Sequence, residues 1–192
     1  MTIQFSFRIK GITLLISGSQ LFVIMKVHAL GLVDYLPTWQ AMRNFTHARD
    51  EHTPDELWWL EHSPVFTQGQ AGKPEHLTFA GDIPVVQTAR GGPTTYHGPG
   101  QLVAYPLVDI TRAGIAGPKE WVRLLADTLL ATLAHYDVAG EYHDDAPGIY
   151  VRDAKIASIG LRLHKGRSYH GIALNTQMDL TPFARINPCG YQ

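Results

Sequence analysis

The sequence predicts an α+β fold, a mixed and largely antiparallel sheet packed with helices. Three observations point there. Strand-like apolar runs outnumber helical ones, and they do not alternate with helices in regular βαβ order. Three strand runs follow one another near the C-terminal end, separated by short polar turns. The length of 192 residues favours one domain with a substantial core, or one with a small second lobe.

The elements follow in order. Lys26 to Leu32 reads as a first strand. Pro37 can open a helix, and Trp39, Met42, Phe45 and Arg49 follow at helical spacing. ELWWLEH, Glu56 to His62, is an aromatic-rich strand, and SPVFTQGQAGKPEHL reads as a turn-rich loop. IPVVQTAR reads as a strand ending at Arg90, and QLVAYPLVDI returns as another. GPKEWVRLLADTLLATLAHY is the clearest helix, with Pro118 in its first turn. Trp121, Leu124, Leu125, Thr128, Leu129, Thr132 and Leu133 make a broad inward stripe, which is core packing rather than a cofactor site. Gly148–Val151, Lys155–His164 and Ser168–Thr176 then read as three successive strands, joined through DAKI and HKGRS.

Composition narrows the function classes. The net charge is −1, so nothing general favours nucleic acid. Local basic residues, Arg162, Lys165 and Arg167, read first from charge alone as a solvated strand end or turn, and can still attract an acidic partner. The single cysteine, Cys189, excludes an intrachain disulfide and fits a reducing, cytoplasmic setting. No apolar run is long enough to span a bilayer. Near the N-terminus, FRIKGITLLISGSQLFVIM loosely resembles a signal peptide. Polar residues interrupt it and no small-residue cleavage site follows. Residues 1–24 are therefore read as an extension outside the domain, in preference to a cleaved signal.

One stretch is unusually punctuated. Arg90 to Gly100, RGGPTTYHGPG, holds four glycines and two prolines around Tyr96 and His97. It matches neither G-x-x-x-x-G-K-[ST] nor G-x-G-x-x-G, so a nucleotide role has weak support. Arg90 can bind an anion or cap the sheet edge, and His97 can serve as acid or base or as an ordinary loop donor. The histidines show no H-E-x-x-H, and Cys189 lacks a C-x-x-C partner, so no metal site is expected.

Two further residues carry candidate chemistry. Cys189 sits between proline and glycine, which places it in a turn rather than a strand core. An exposed thiolate there can form acyl thioesters, because sulfur attacks and leaves readily near neutral pH. Its partner is not evident from spacing. Lys155 opens an apolar strand. It is either a snorkelling edge residue or a desolvated lysine able to move protons near pH 7.

Taken together, RGGPTTYHGPGQLVAYP, DAPGIYV, KIASIGLR, HGIALN and INPCGY, with EHSPVFTQGQAG upstream, resemble the lipoyl(octanoyl) transferases. These are the octanoyl-carrier-protein–protein N-octanoyltransferases of lipoate synthesis. The likeness runs from about Met25 to Gln192. It implies the fold shared by biotin and lipoate protein ligases, related to class II aminoacyl-tRNA synthetases. It implies transfer of an octanoyl group from octanoyl-acyl carrier protein, without ATP or another cofactor. The acceptors would be lysines on lipoyl domains of 2-oxoacid dehydrogenase complexes and on the glycine cleavage H protein.

Residue by residue, Cys189 matches the acyl-accepting cysteine and Lys155 the lysine acting as acid and base. The substrate-binding stretches carry over to Arg90, Gly91, Gly92, Pro93, Thr94, Thr95, Tyr96 and His97. They carry over also to Ser158, Ile159 and Gly160, and to Gly171, Ile172 and Ala173. Family chains continue past this cysteine, so residues 25–192 are read as a catalytic domain cut short at its C-terminus. Two other readings follow from these residues: a catalytically inactive, truncated binding module, and an ATP-dependent lipoate–protein ligase.

Overall fold

In the computed structural model, residues 25–144 and 146–186 are described. Cys189 lies outside them. Ten strands and two α-helices run in the order β1 (Met25–Val33), α1 (Tyr35–Ala48), β2 (Asp55–His62), β3 (Val65–Gln68), β4 (Val85–Gln87), β5 (Thr94–His97), β6 (Gln101–Leu107), α2 (Pro118–His135), β7 (Glu141–His143), β8 (Gly148–Val151), β9 (Ala154–His164) and β10 (Arg167–Asn175). Short 3₁₀ turns at Pro74–His76 and Thr181–Arg185 complete the list.

Seven strands form one sheet in the order β1-β2-β6-β10-β9-β8-β7, and three form a second in the order β4-β3-β5. Among the described residues, only β1–β2 is parallel in the first sheet, and only β3–β4 in the second. The α+β expectation therefore stands.

The two helices cover opposite faces of the large sheet. Helix α2 presents Trp121, Leu125, Leu129 and Leu133 to one face, over Val108, Ile149, Ala157 and Leu174. Of the predicted stripe, Thr132 is exposed, and the buried residue it omitted is Ala126. Helix α1 packs Met42 onto Leu60, Val103, Tyr105, Tyr169 and Ala173 on the other face. Alternation along each strand assigns residues to these faces. A third cluster, Phe66, Tyr96 and Ile186, belongs to the small sheet.

Two elements depart from the sequence reading. The segment read as a turn-rich loop contains β3, the central strand of the small sheet, with all four residues buried. The IPVVQTAR strand shrinks to Val85–Gln87, and Arg90 sits in the turn beyond it. Among the described residues, no helix is long and apolar enough to cross a membrane.

Candidate active site

Lys155 owes its position to a β-bulge. Ile149 of β8 pairs with Ala157, yet the next residue, Tyr150, pairs with Lys155, so β9 carries one extra residue there. Strict alternation would put Lys155 on the Ala157 side, under α2. The extra residue reverses the facing of everything before it. Lys155 is thereby turned to the α1 face, which also carries Gly148, Ser158, Gly160 and Arg162. Its half-buried ammonium donates to the Ala146 carbonyl oxygen at 3.4 Å and lies 5.7 Å from the Tyr150 ring centroid.

Gly148 makes room for that side chain. A Cβ at Gly148 would collide with Lys155 Cε and the Ala157 oxygen. No side chain larger than hydrogen fits while Lys155 keeps this path. The lysine stem therefore lies flat against the β8 backbone.

The glycine-rich loop meets β9 a few residues further along. Strand β8 stops pairing at Ser158, which leaves the rest of the β9 edge open. The Gly91 N–H fills part of it, donating to the Leu161 oxygen at 3.0 Å. Gly92 takes φ +81°, a left-handed shape that side chains resist, and so turns the chain from this edge into β5. A Cβ at Gly160 would lie 3.6 Å from Arg90 Cδ and from the Gly91 oxygen, so loop and strand are in contact.

Arg90 braces this junction from inside. It is 8% exposed. Its Nη2 donates to the Thr67 carbonyl at 2.6 Å and to Thr67 Oγ1 at 2.8 Å, and its Nη1 donates to the Gly91 oxygen at 3.0 Å. It pairs with no carboxylate among the described residues. A guanidinium does not lose its proton, so a buried positive charge stands at the loop.

Around Arg90 lie Tyr35 from the start of α1, His62 from β2, His97 from β5, Tyr105 from β6 and His170 from β10. The rings interlock, with Tyr35–His62 at 5.0 Å, His62–His97 at 5.7 Å and Tyr105–His170 at 6.3 Å. His97 Nδ1 donates to Gln101 Oε1 at 2.6 Å, while Gln101 Nε2 donates to Asn175 Oδ1. His62 Nδ1 donates to the Val33 oxygen at 3.0 Å and its Nε2 accepts from the Tyr105 hydroxyl at 2.7 Å.

Burial sets the charge state of the cluster. It pushes His97 down to about 3, helped by the neighbouring His62 and Arg90. It pushes His170 down to about 3 and His62 down to about 4. It raises Tyr35 to about 12. All three histidines are neutral near pH 7, so Arg90 holds the only cation of the group. His170 has φ +63°, which turns its side chain beside Tyr169, and its Nε2 is buried with no hydrogen bond among the described residues.

The structure divides the expected substrate-binding stretches by face. Ser158 pairs with Ala173 and Gly160 with Gly171, all on the Lys155 face. Ile159 and Ile172 pair with each other and pack on the α2 side, so only their backbone can border the site. In β5, Thr95 and His97 face the Arg90 cluster, whereas Thr94 and Tyr96 turn to the other side, where Tyr96 meets Phe66 and Ile186. Pro93 accepts a hydrogen bond from the Gly69 N–H, which ties the loop to the end of β3.

Tyr35, His62, Thr67, Tyr105 and His170 were not foreseen. They come from five separate elements, and no spacing in the chain links them. Among the described residues no group of three or more histidine, cysteine or carboxylate side chains could hold a metal.

This geometry has relatives. Residues 34–192 match the lipoyl protein ligase A/B catalytic domain. The chain is 62% identical over 168 residues to an octanoyltransferase of Azotobacter vinelandii, covering 88% of this chain and 77% of that one. It is 59% identical over 165 residues to one from Vibrio cholerae, with 86% and 76% covered. A lipoate-protein ligase A bound with ATP superposes with a TM-score of 0.68 at 16% identity, covering 86% of this chain and 72% of that one. A putative lipoate protein ligase of T. acidophilum gives 0.66 at 16% identity, covering 84% and 73%. At such identity the two ligases speak to the fold alone.

Proposed function

This chain belongs to the lipoyl protein ligase A/B catalytic-domain family, and we infer that within it the chain is an octanoyltransferase serving protein lipoylation. High identity to octanoyltransferases over most of their length supports that activity. The octanoyl donor is proposed to be octanoyl-acyl carrier protein. The acceptors are proposed to be lysines of lipoyl domains in 2-oxoacid dehydrogenase complexes and of the glycine cleavage H protein.

The mechanism proposed is two-step transfer through Cys189, with Lys155 moving protons. In the first step the Cys189 thiolate attacks the carbonyl carbon of the carrier thioester. A carbon–sulfur bond forms to Cys189 and the one to the carrier breaks. Lys155 takes the Cys189 thiol proton and returns it to the departing carrier thiolate. In the second step the lipoyl-domain amine attacks the acyl-Cys189 thioester. An amide forms, Cys189 leaves as thiolate, and Lys155 in neutral form accepts the amine proton. Thioester exchange followed by amide formation needs no nucleotide.

One observation carries Lys155 into this role: the bulge that turns it onto the face bearing Ser158, Gly160 and the Arg90 loop. Partial burial against Gly148 and Tyr150 gives it fixed direction. The loop then acts as a wall, with Arg90 and the neutral histidines holding its shape.

The test is transfer to a lipoyl domain from octanoyl-acyl carrier protein with no ATP present. Octanoyl-amide formation is expected. Product that forms only when free octanoate and ATP are supplied would make the chain a ligase instead.

A further inference from the structure

A groove of about 530 Å³ opens between α1 and β9, beside the glycine-rich loop. Arg43 and His47 project into it from α1, and Arg162 and His164 from β9. Among the described residues, no acidic side chain lines it. That is notable in a chain of net charge −1.

The arginines nearby differ from these two. Arg49 and Arg112 both engage Asp55, and Arg167 engages Asp109. Arg43 and Arg162 make no ion pair among the described residues. Arg43 instead lies 5.1 Å over the Trp39 ring, exposed and held in place. The structure thus splits the basic run read in the sequence. Arg167 is committed inward, while Arg162 joins Arg43 outside.

His47 and His164 stack at 4.0 Å between the arginines. His164 is held below its ordinary value, first by desolvation and then by the charges of His47, Lys165 and Arg167. One sign of charge dominates the groove.

The groove is continuous with the site. Arg162 lies on the same face of β9 as Gly160, Ser158 and Lys155, and Ala89 at the groove wall precedes Arg90. Seven positions along β9 separate Arg162 from Lys155, which is about 23 Å of strand.

We propose that this groove docks the acidic carrier protein that delivers the acyl thioester. The inference rests on the octanoyl-transfer reading above. Charge selects an acidic partner. The span selects one whose reacting carbonyl rides on a long prosthetic arm, since a lysine side chain on a docked acceptor reaches only about 6 Å from its own backbone. The carrier's body then sits at Arg43 and Arg162, and its arm runs along the β9 face to Lys155.

The experiment compares wild type with Arg43→Glu/Arg162→Glu, using octanoyl-acyl carrier protein and the small donor octanoyl-pantetheine. In the variant, KM for the carrier donor rises about tenfold or more and its salt dependence weakens, while kcat and the constants for octanoyl-pantetheine change less than about twofold. Anisotropy of labelled apo-carrier protein reports docking without turnover, and the variant loses it. Equal losses with both donors, an unchanged carrier KM and carrier binding, or a KM rise confined to the lipoyl-domain acceptor each overturn the docking assignment. A wild type that binds carrier yet transfers octanoyl from neither donor would sink the functional reading and leave the docking surface standing.

Discussion

Lys155 Cε occupies the space that a Cβ on Gly148 would need, so these two residues of neighbouring strands form one fitted pair. The lysine is aimed by its neighbour's missing side chain as much as by its own strand. Gly148→Ala is expected to displace the ammonium and cut the rate of transfer about a hundredfold. The overpacking should cost only about 1–3 kcal/mol of stability. Kinetics beside a urea melt separate the two effects. A variant with unimpaired turnover would mean that the path of Lys155 does not matter to the reaction.

Removing the amine itself tests the role more directly. Lys155→Ala should fold, because the side chain is only half-buried, and should slow acylation by on the order of 10²–10⁴-fold. Single-turnover acylation read by mass would check this. Wild-type rates in that variant would remove Lys155 from proton transfer.

A buried ion-pair knot lies elsewhere, at Asp55. Its Oδ1 accepts from Arg49 Nη2 at 2.5 Å, from Arg112 Nη2 at 2.8 Å and from the Asp109 N–H at 2.9 Å. This knot joins the end of α1 to the start of β2 and the end of β6. Asp55→Ala strands a buried guanidinium and is expected to cost about 3–5 kcal/mol. Chemical denaturation measures it. A loss below about 1 kcal/mol would show that water or another group rescues Arg49.

The buried histidines predict acid sensitivity. Unfolded, each binds a proton at the ordinary value of 6.5, whereas in the native state His62 holds off until about 4, and His97 and His170 until about 3. The unfolded chain therefore binds more protons between these limits. Their contribution is complete above 6.5 and is lost as pH falls toward 4, by about 2 kcal/mol for each histidine at about pH 5. The shifted carboxylates, Asp50, Asp109 and Asp179, all lie below 3.8 and stay out of this window. Urea midpoints across the window should drop steeply in wild type and less steeply in His62→Gln. A flat profile, or equal slopes in both proteins, would contradict neutral burial.

Much of the fold was legible because its larger elements advertise a period. The stripe on α2 marks the face that helix buries, and the apolar runs of β2, β6, β9 and β10 mark strands. Strand β3 was missed because its four buried residues, Val65–Gln68, lie between Pro64 and the turn-like stretch Gly69 to Gly72 and make too short a pattern. The candidate site was readable in parts. Lys155 and the Arg90 loop stand out by type, but the side of the sheet on which Lys155 sits depends on a single extra residue in β9. Nothing in KIASIG marks that bulge. The Arg90 cluster draws one residue from each of five elements, which only the folded chain brings together.

The most direct measurement of the central claim is intact-mass spectrometry of this chain after mixing with octanoyl-acyl carrier protein, without ATP. An octanoyl adduct on wild type, released by hydroxylamine and absent in Cys189→Ser, is the expected result. A folded wild type with no adduct, or an adduct undiminished in Cys189→Ser, would contradict transfer through Cys189.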